Sequence, residues 1–258
     1  HEFYTGCYGA AAAPMRRYWE TLNAAWQGSP EHAGSHYGFL RRFTPETLAA
    51  ARAALDEAQD AARTVPAYRR VKLADDGFRQ FERYMRLRRN LNEGIANTLD
   101  KDAELWLSGA RYLRAAYAGQ PVFAPIAADF FQWFCLPAYT ELARIAREHV
   151  ILTKPVPAWR WQVDRAGRGE ALGWGSETCN DADWPQVDPR VETWANHGLF
   201  SYYGAAWYRA RLTLPAVPAG KKVCLWVAGV DDTCAVYLNG QPIPYTGKDG
   251  KPQAEVCD

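Results

Sequence analysis

The sequence predicts a multidomain chain of mixed α and β class, in which a bundle-like helical segment is followed by an antiparallel β-sandwich. Three observations carry this. Apolar residues recur at three- and four-residue steps up to about residue 149, and a Lys154-Pro155-Val156-Pro157 run then closes off helix formation. Beyond that run the chain is β-branched, aromatic and turn-rich, with short alternating segments and an Asn239-Gly240 hairpin signal. A length of 258 residues fits about two domains of roughly 100–200 residues, and 48% hydrophobic content is that of a globular chain.

The first helix is expected over Ala10–Trp26, where Met15, Tyr18, Trp19, Leu22 and Trp26 recur on one face and Pro14 sits in the first turn. Gly28-Ser29-Pro30 ends it, and residues 27–43, rich in Gly, His and Ser, read as a loop. Thr44 followed by Pro45 makes an N-cap and first helical position for a helix to about Arg63, with a small-residue stripe of Leu48, Ala51, Leu55, Ala58 and Ala62. Pro66 opens the longest helix. Val71, Ala74, Phe78, Phe81, Met85, Asn92 and Ile95 define its face, and Arg79, Arg83, Arg86 and Arg89 flank it as a solvated, ion-paired surface. Another helix is expected from Asp102 to about Ala118, closed by Gly119, and a last one from Ile126 to His149, kinked or divided at Pro137. The segments are therefore 1–26, 27–153, a linker at 154–158, and 159–258.

In the last segment, strands are expected at Trp159–Val163, Ala206–Leu214, Val223–Ala228 and Ala235–Leu238. Along the second, Tyr208, Ala210, Leu212 and Leu214 alternate with Arg209, Arg211 and Thr213, which predicts one buried and one wet face. These strands are fewer than the seven or eight of a complete sandwich, so the sandwich is expected to be truncated at its C-terminus. The start at His1, without Met, also fits a fragment.

Composition narrows the chemistry. The 30 basic and 29 acidic side chains nearly cancel, which argues against general attraction to nucleic acid or anionic lipid, and no apolar run reaches membrane-span length. The six cysteines form no C-x-x-C pair and no zinc-ligand spacing with histidine. Cys224 and Cys234, on neighbouring predicted strands, leave a bridge possible, with buried free thiols the favoured reading. Of eleven tryptophans, seven fall between Trp159 and Trp226, an enrichment that suits sugar stacking and an aromatic core equally.

The block Gly173-Trp174, Asp183-Trp184-Pro185, Trp194, Tyr203-Gly204-Ala205-Ala206-Trp207-Tyr208-Arg209, Gly229-Val230-Asp231-Asp232 and Val236-Tyr237-Leu238-Asn239-Gly240 resembles the N-terminal sugar-binding domain of family 2 glycoside hydrolases. The resemblance spans residues 159–258 and implies a galactose-binding-like jelly roll that is itself non-catalytic and packs beside a catalytic barrel. A second resemblance covers about 26 residues: Glu2-Phe3-Tyr4, Tyr8-Gly9-Ala10-Ala11 and Met15-Arg16-Arg17-Tyr18-Trp19 look like the last barrel helix of bacterial proteins carrying domain of unknown function 4838. Together they imply the accessory C-terminal region of a bacterial glycoside hydrolase, secreted or periplasmic. The catalytic carboxylates would then lie upstream, on a barrel of the same polypeptide that is this region's partner.

The residues themselves put carbohydrate contact on Trp174, Trp184, Trp194, Tyr202, Tyr203 and Asp183, because an exposed ring covers the C–H face of a pyranose while carboxylates bond hydroxyls. The competing expectation is that these rings cover the sandwich end or face the helices, making the segment a structural spacer with no ligand. Glu170, Glu177, Asp181 and Asp183 share one loop region and read as turn and cap chemistry, so no catalytic residues are assigned here. Glu177 opposite Asp183 would be the alternative pair. Asp231-Asp232 supplies too few oxygens for calcium, and Gly34 between His32 and His36 argues for a loop, so neither metal nor cofactor is expected.

Overall fold

In a computed structural model the described residues are 2–28, 38–95, 98–120, 144, 147–217, 219–225, 227, 233–246, 252–253 and 256–257. The expected helix over 126–149 falls almost wholly outside them, as do His32, His36, Asp231 and Asp232. The chain divides into two compact units, His1–Pro155 with Arg190–Phe200, and Val156–Pro189 with Ser201–Asp258.

The first unit is helical. It begins with α1 (Glu2–Tyr8), a 3-10 turn (Gly9–Ala11) and α2 (Ala12–Gln27), followed by α3 (Phe39–Arg42), α4 (Pro45–Ala61), α5 (Val65–Asn92) and α6 (Leu99–Tyr117). Periodicity placed the first helix only from Ala10, although the second resemblance covers α1, and α3 was not expected. The short α3 lies in the stretch read as loop, where Phe39 and Phe43, one turn apart, stack edge-to-face at 5.6 Å against each other and near Phe81. Thr44 caps α4, its hydroxyl accepting from the Thr47 amide, and Thr64 caps α5 in the same way through Ala67. The α5 helix therefore starts one residue before Pro66, which occupies the second helical position.

Ala51, Ala54 and Ala58 bury the small-residue face of α4, which packs closely on α2 around Met15 and Leu55, both fully buried. Ala62 ends the helix as its C-cap and contributes nothing to that stripe's interior. On α5, Val71, Phe78 and Met85 are buried as expected, while Ile95 lies beyond the helix end and is exposed. Three carboxylates, Asp75, Asp76 and Asp102, are buried as well. Asp75 is held by Arg52 of α4 and by Arg79 at 2.8 Å. Asp76 accepts from Lys72 at 2.7 Å and from the Tyr112 and Tyr117 hydroxyls of α6 at 3.1 and 2.5 Å. Asp102 of α6 accepts from Asn90 at 2.6 Å and forms an ion pair with Arg86 at 2.8 Å. Of the arginine face of α5, Arg79 pairs with Asp75 in the same helix and Arg86 with Asp102 of α6, while Arg52 ties α4 to Asp75 and Glu82 of α5.

The second unit holds short antiparallel strands in small sheets: β1 (Trp159–Asp164), β2 (Gln186–Val187), β3 (Ala205–Arg209), β4 (Thr233–Cys234), β5 (Val236–Leu238), β6 (Gln241–Ile243), β7 (Tyr245–Thr246), β8 (Pro252–Gln253) and β9 (Val256–Cys257). The largest sheet has the order β2-β1-β3. Asn239 (φ 50°) and Gly240 (φ 80°) turn the β5–β6 hairpin with both central residues in the left-handed region, the geometry the Asn-Gly pair predicts.

Three strand expectations need correction. β3 stops at Arg209, opposite Arg160; in the same register its continuation would run past Trp159 and Ala158 toward Pro157 and Pro155, which offer no ladder donor. No strand forms at 223–225 or 227. β3 also shows no simple split into a buried apolar face and a wet polar one. Trp207 and Arg209 share a face with Asp164 and Gln162 of β1, and Arg209 is only 15% exposed, whereas Tyr208 is 37% exposed. Arg209 tolerates this position because a buried carboxylate meets it, which alternation of apolar and polar letters does not reveal. Finally, Cys7, Cys179, Cys224 and Cys234 are free thiols, and Cys224 is exposed instead of buried.

Candidate carbohydrate-binding site

The site region is built on the β1–β3 ladder. Asp164, last residue of β1, faces Ala205, first of β3, so the turn after β1 and the segment before β3 emerge at the same end of the sheet. That turn is organised by the Asp164 carboxylate, which accepts from the amides of Arg168 at 2.8 Å and Gly169 at 2.7 Å and from the Trp207 indole at 3.2 Å. Burial pushes this carboxyl up, but the amide and indole donors outweigh it and hold it below the usual carboxylate range. Gly169 is required here: a Cβ would lie 2.1 Å from the Trp207 nitrogen and 2.5 Å from the Trp174 ring.

A second buried carboxylate, Asp181, accepts from Arg209 at 3.0 Å and from Arg211 at 3.0 and 3.2 Å. Burial opposes its ionisation, and the two guanidinium groups reverse that and lower its pKa. Arg209 also donates to the Trp174 carbonyl, and Arg160 donates to the Trp184 carbonyl at 2.8 Å. The loop between β1 and β2 is thereby fastened to the sheet by arginines.

Trp174 and Trp184 meet edge-to-face at 5.2 Å with an interplanar angle of 74°, and Trp174 stands at 89° to Trp207 at 6.3 Å. These indoles interlock and form no coplanar platform. Trp207 in turn lies 5.5 Å from Tyr237 of β5, whose hydroxyl donates to Glu170 at 3.2 Å. Trp194 is on a 3-10 turn (Trp194–His197) in the segment grouped with the helical unit.

Tyr202 and Tyr203 precede β3 and differ sharply. The Tyr202 hydroxyl donates to the Ala205 carbonyl at 3.0 Å and its ring lies under the Arg165 guanidinium at 5.1 Å. Tyr203 is 95% exposed. Gly204 makes this arrangement possible, since its φ of 154° disfavours other residues and a Cβ would come within 2.5 Å of the Tyr202 oxygen. Glu177 and Asp183 are exposed, and neither side chain makes a hydrogen bond or ion pair among the described residues.

Of the six candidates, Trp174, Trp184, Tyr202, Tyr203 and Asp183 fall in the β unit and Trp194 in the segment grouped with the helical unit, whereas Asp164, Arg165, Gly204 and Arg209 were not among them. The signal for Asp164 was present: an acid closing a strand before a Gly-containing turn is the pattern of a carboxylate accepting backbone amides. Among the described residues no group of three or more His, Cys, Asp or Glu side chains is placed to hold a metal ion, and no helix is long and apolar enough to cross a membrane. No protein-family model matches the chain, and neither a curated protein nor a solved structure matches it.

Proposed function

We propose that this chain is a non-catalytic accessory region of a glycoside hydrolase, whose β unit recognises carbohydrate and belongs to a galactose-binding-like sandwich. The observation that carries the reading is Tyr203, an almost fully exposed ring next to Tyr202, whose own ring is held by a hydrogen bond, both just before β3. Exposing a phenol ring to water has no folding benefit, whereas an exposed ring is available to stack on the C–H face of a pyranose. Asp164 and Asp181 are saturated with donors and depressed in pKa, which is the reverse of what a glycosidase acid needs. The role assigned to them is to fix the loops, and catalysis is assigned to a barrel upstream in the same polypeptide.

The interlocked Trp174, Trp184 and Trp207 favour a second reading, a structural spacer that binds nothing, because rings used for core packing are unavailable to a sugar. A glycan-array screen of the intact chain beside Tyr203→Ala separates the two. Carbohydrate recognition predicts at least one glycan class bound by the parent and lost in the variant, with unchanged circular dichroism. Absence of binding to every glycan, or binding insensitive to Tyr203, would support the spacer.

A further inference from the structure

Two exposed arginines stand in the turn that shares the Tyr202–Tyr203 end of the sheet. Arg165 lies over the Tyr202 ring at 5.1 Å, and Arg168 follows three residues later in the same turn. Neither guanidinium forms an ion pair among the described residues, whereas Arg160, Arg209 and Arg211 of the same unit are all engaged by carbonyls or carboxylates. The segment from Asp164 to Glu170 is formally neutral, with two acids and two bases, but the charges are segregated. Asp164 is turned to backbone amides and the Trp207 indole, and Glu170 to the Tyr237 hydroxyl, while Arg165 is turned to Tyr202.

Resting on the carbohydrate reading above, we propose that the Tyr202–Tyr203 end of this unit selects anionic saccharides, with Arg165 and Arg168 engaging a carboxylate or sulfate while Tyr203 covers the sugar ring. A guanidinium stacked on an aromatic ring keeps its N–H edges outward, and it binds a planar carboxylate or a sulfate with two parallel hydrogen bonds. Stacking on Tyr202 also restrains Arg165 before the ligand arrives, which reduces the ordering cost of binding. Tyr203 supplies the apolar contact a charged sugar still offers through its C–H face.

The test is affinity electrophoresis of the intact chain through gels containing polygalacturonate, dextran sulfate or neutral dextran, with Arg165→Gln, Arg168→Gln and Tyr203→Ala run alongside. Retardation by a polyanion and not by neutral dextran, weakened about tenfold or more by Arg165→Gln and by Tyr203→Ala and measurably by Arg168→Gln, is the expected result. The carboxylated and sulfated arms identify which anion is read. Retardation by neutral dextran that Tyr203→Ala abolishes and Arg165→Gln leaves intact would overturn the anionic preference while preserving carbohydrate recognition. Polyanion retardation that none of the three substitutions alters would mark nonspecific charge attraction and overturn the proposal. No retardation in any gel overturns it too, and an array on which no glycan is bound would then remove the underlying reading as well. All three positions are exposed or at the surface, and circular dichroism of each variant checks that the loss is local.

Discussion

At the scale of single residues, the β unit depends on carboxylates that the sequence presents as loop polar groups. Asp181 is the sharpest case, because its two arginine partners are unequal. The Arg209 side chain is 15% exposed and Arg211 70%. Replacing Arg211 with Ala should cost under about 1 kcal/mol, as exposed pairs do. Asp181→Ala leaves Arg209 buried without its counter-charge and should cost about 3–5 kcal/mol, measured by urea denaturation followed through tryptophan fluorescence. The pH dependence follows from the same groups. Asp164 and Asp181 have folded pKa values below their unfolded ones, so the stability they contribute is present above the unfolded carboxylate pKa of about 3.9 and is lost as pH falls through the folded values. The β unit should accordingly resist mild acid and unfold only at strongly acidic pH, and unfolding between pH 5 and 6 would contradict this. Gly204→Ala should reorient Tyr202, with loss of its contact to Arg165, because the added methyl overlaps the phenol oxygen and the backbone conformation is strained.

At the scale of elements, what was legible in the sequence is what local chemistry alone decides. The Thr44-Pro45 start of α4, Pro66 in the first turn of α5, most of the buried stripe of α4 and the Asn-Gly hairpin all follow from capping, periodicity and the φ demands of a type I′ turn. What was not legible depends on partners distant in sequence. The end of β3 at Arg209 lies opposite the start of β1, some 50 residues earlier, and the side of β3 that holds Trp207 and Arg209 is met by Asp164 and Asp181, neither of which alternation within one strand reveals. In the site, the aromatic residues could be named from composition, but which rings interlock and which stand free could not. Trp174 and Trp184 turned out to pack on each other, and only Tyr203 stands nearly wholly in solvent. For the helical unit, Leu55→Ala should cost about 2–5 kcal/mol because Leu55 is fully buried where α4 meets its neighbours, whereas Thr44→Ala should cost about 1 kcal/mol through loss of a single cap. Thermal melts by far-ultraviolet circular dichroism would rank the two.

At the scale of the whole molecule, a helical unit and a β unit with separate cores occur in one chain, and they use buried charge in the same manner. In each, arginines reach across from a neighbouring element to carboxylates that would otherwise be costly to bury: Arg52 and Arg86 to Asp75 and Asp102, Arg209 and Arg211 to Asp181. These groups specify docking geometry, whereas Arg165, Arg168 and Tyr203 at the other end of the β1–β3 ladder are exposed. The most direct measurement is an amide NMR titration of the intact chain with the best-bound glycan from the array. Carbohydrate recognition at the Tyr202–Tyr203 end predicts saturable shifts concentrated at residues 165–169 and 201–205, absent in Tyr203→Ala. Shifts centred elsewhere in the chain, or no shifts with any glycan, would contradict it.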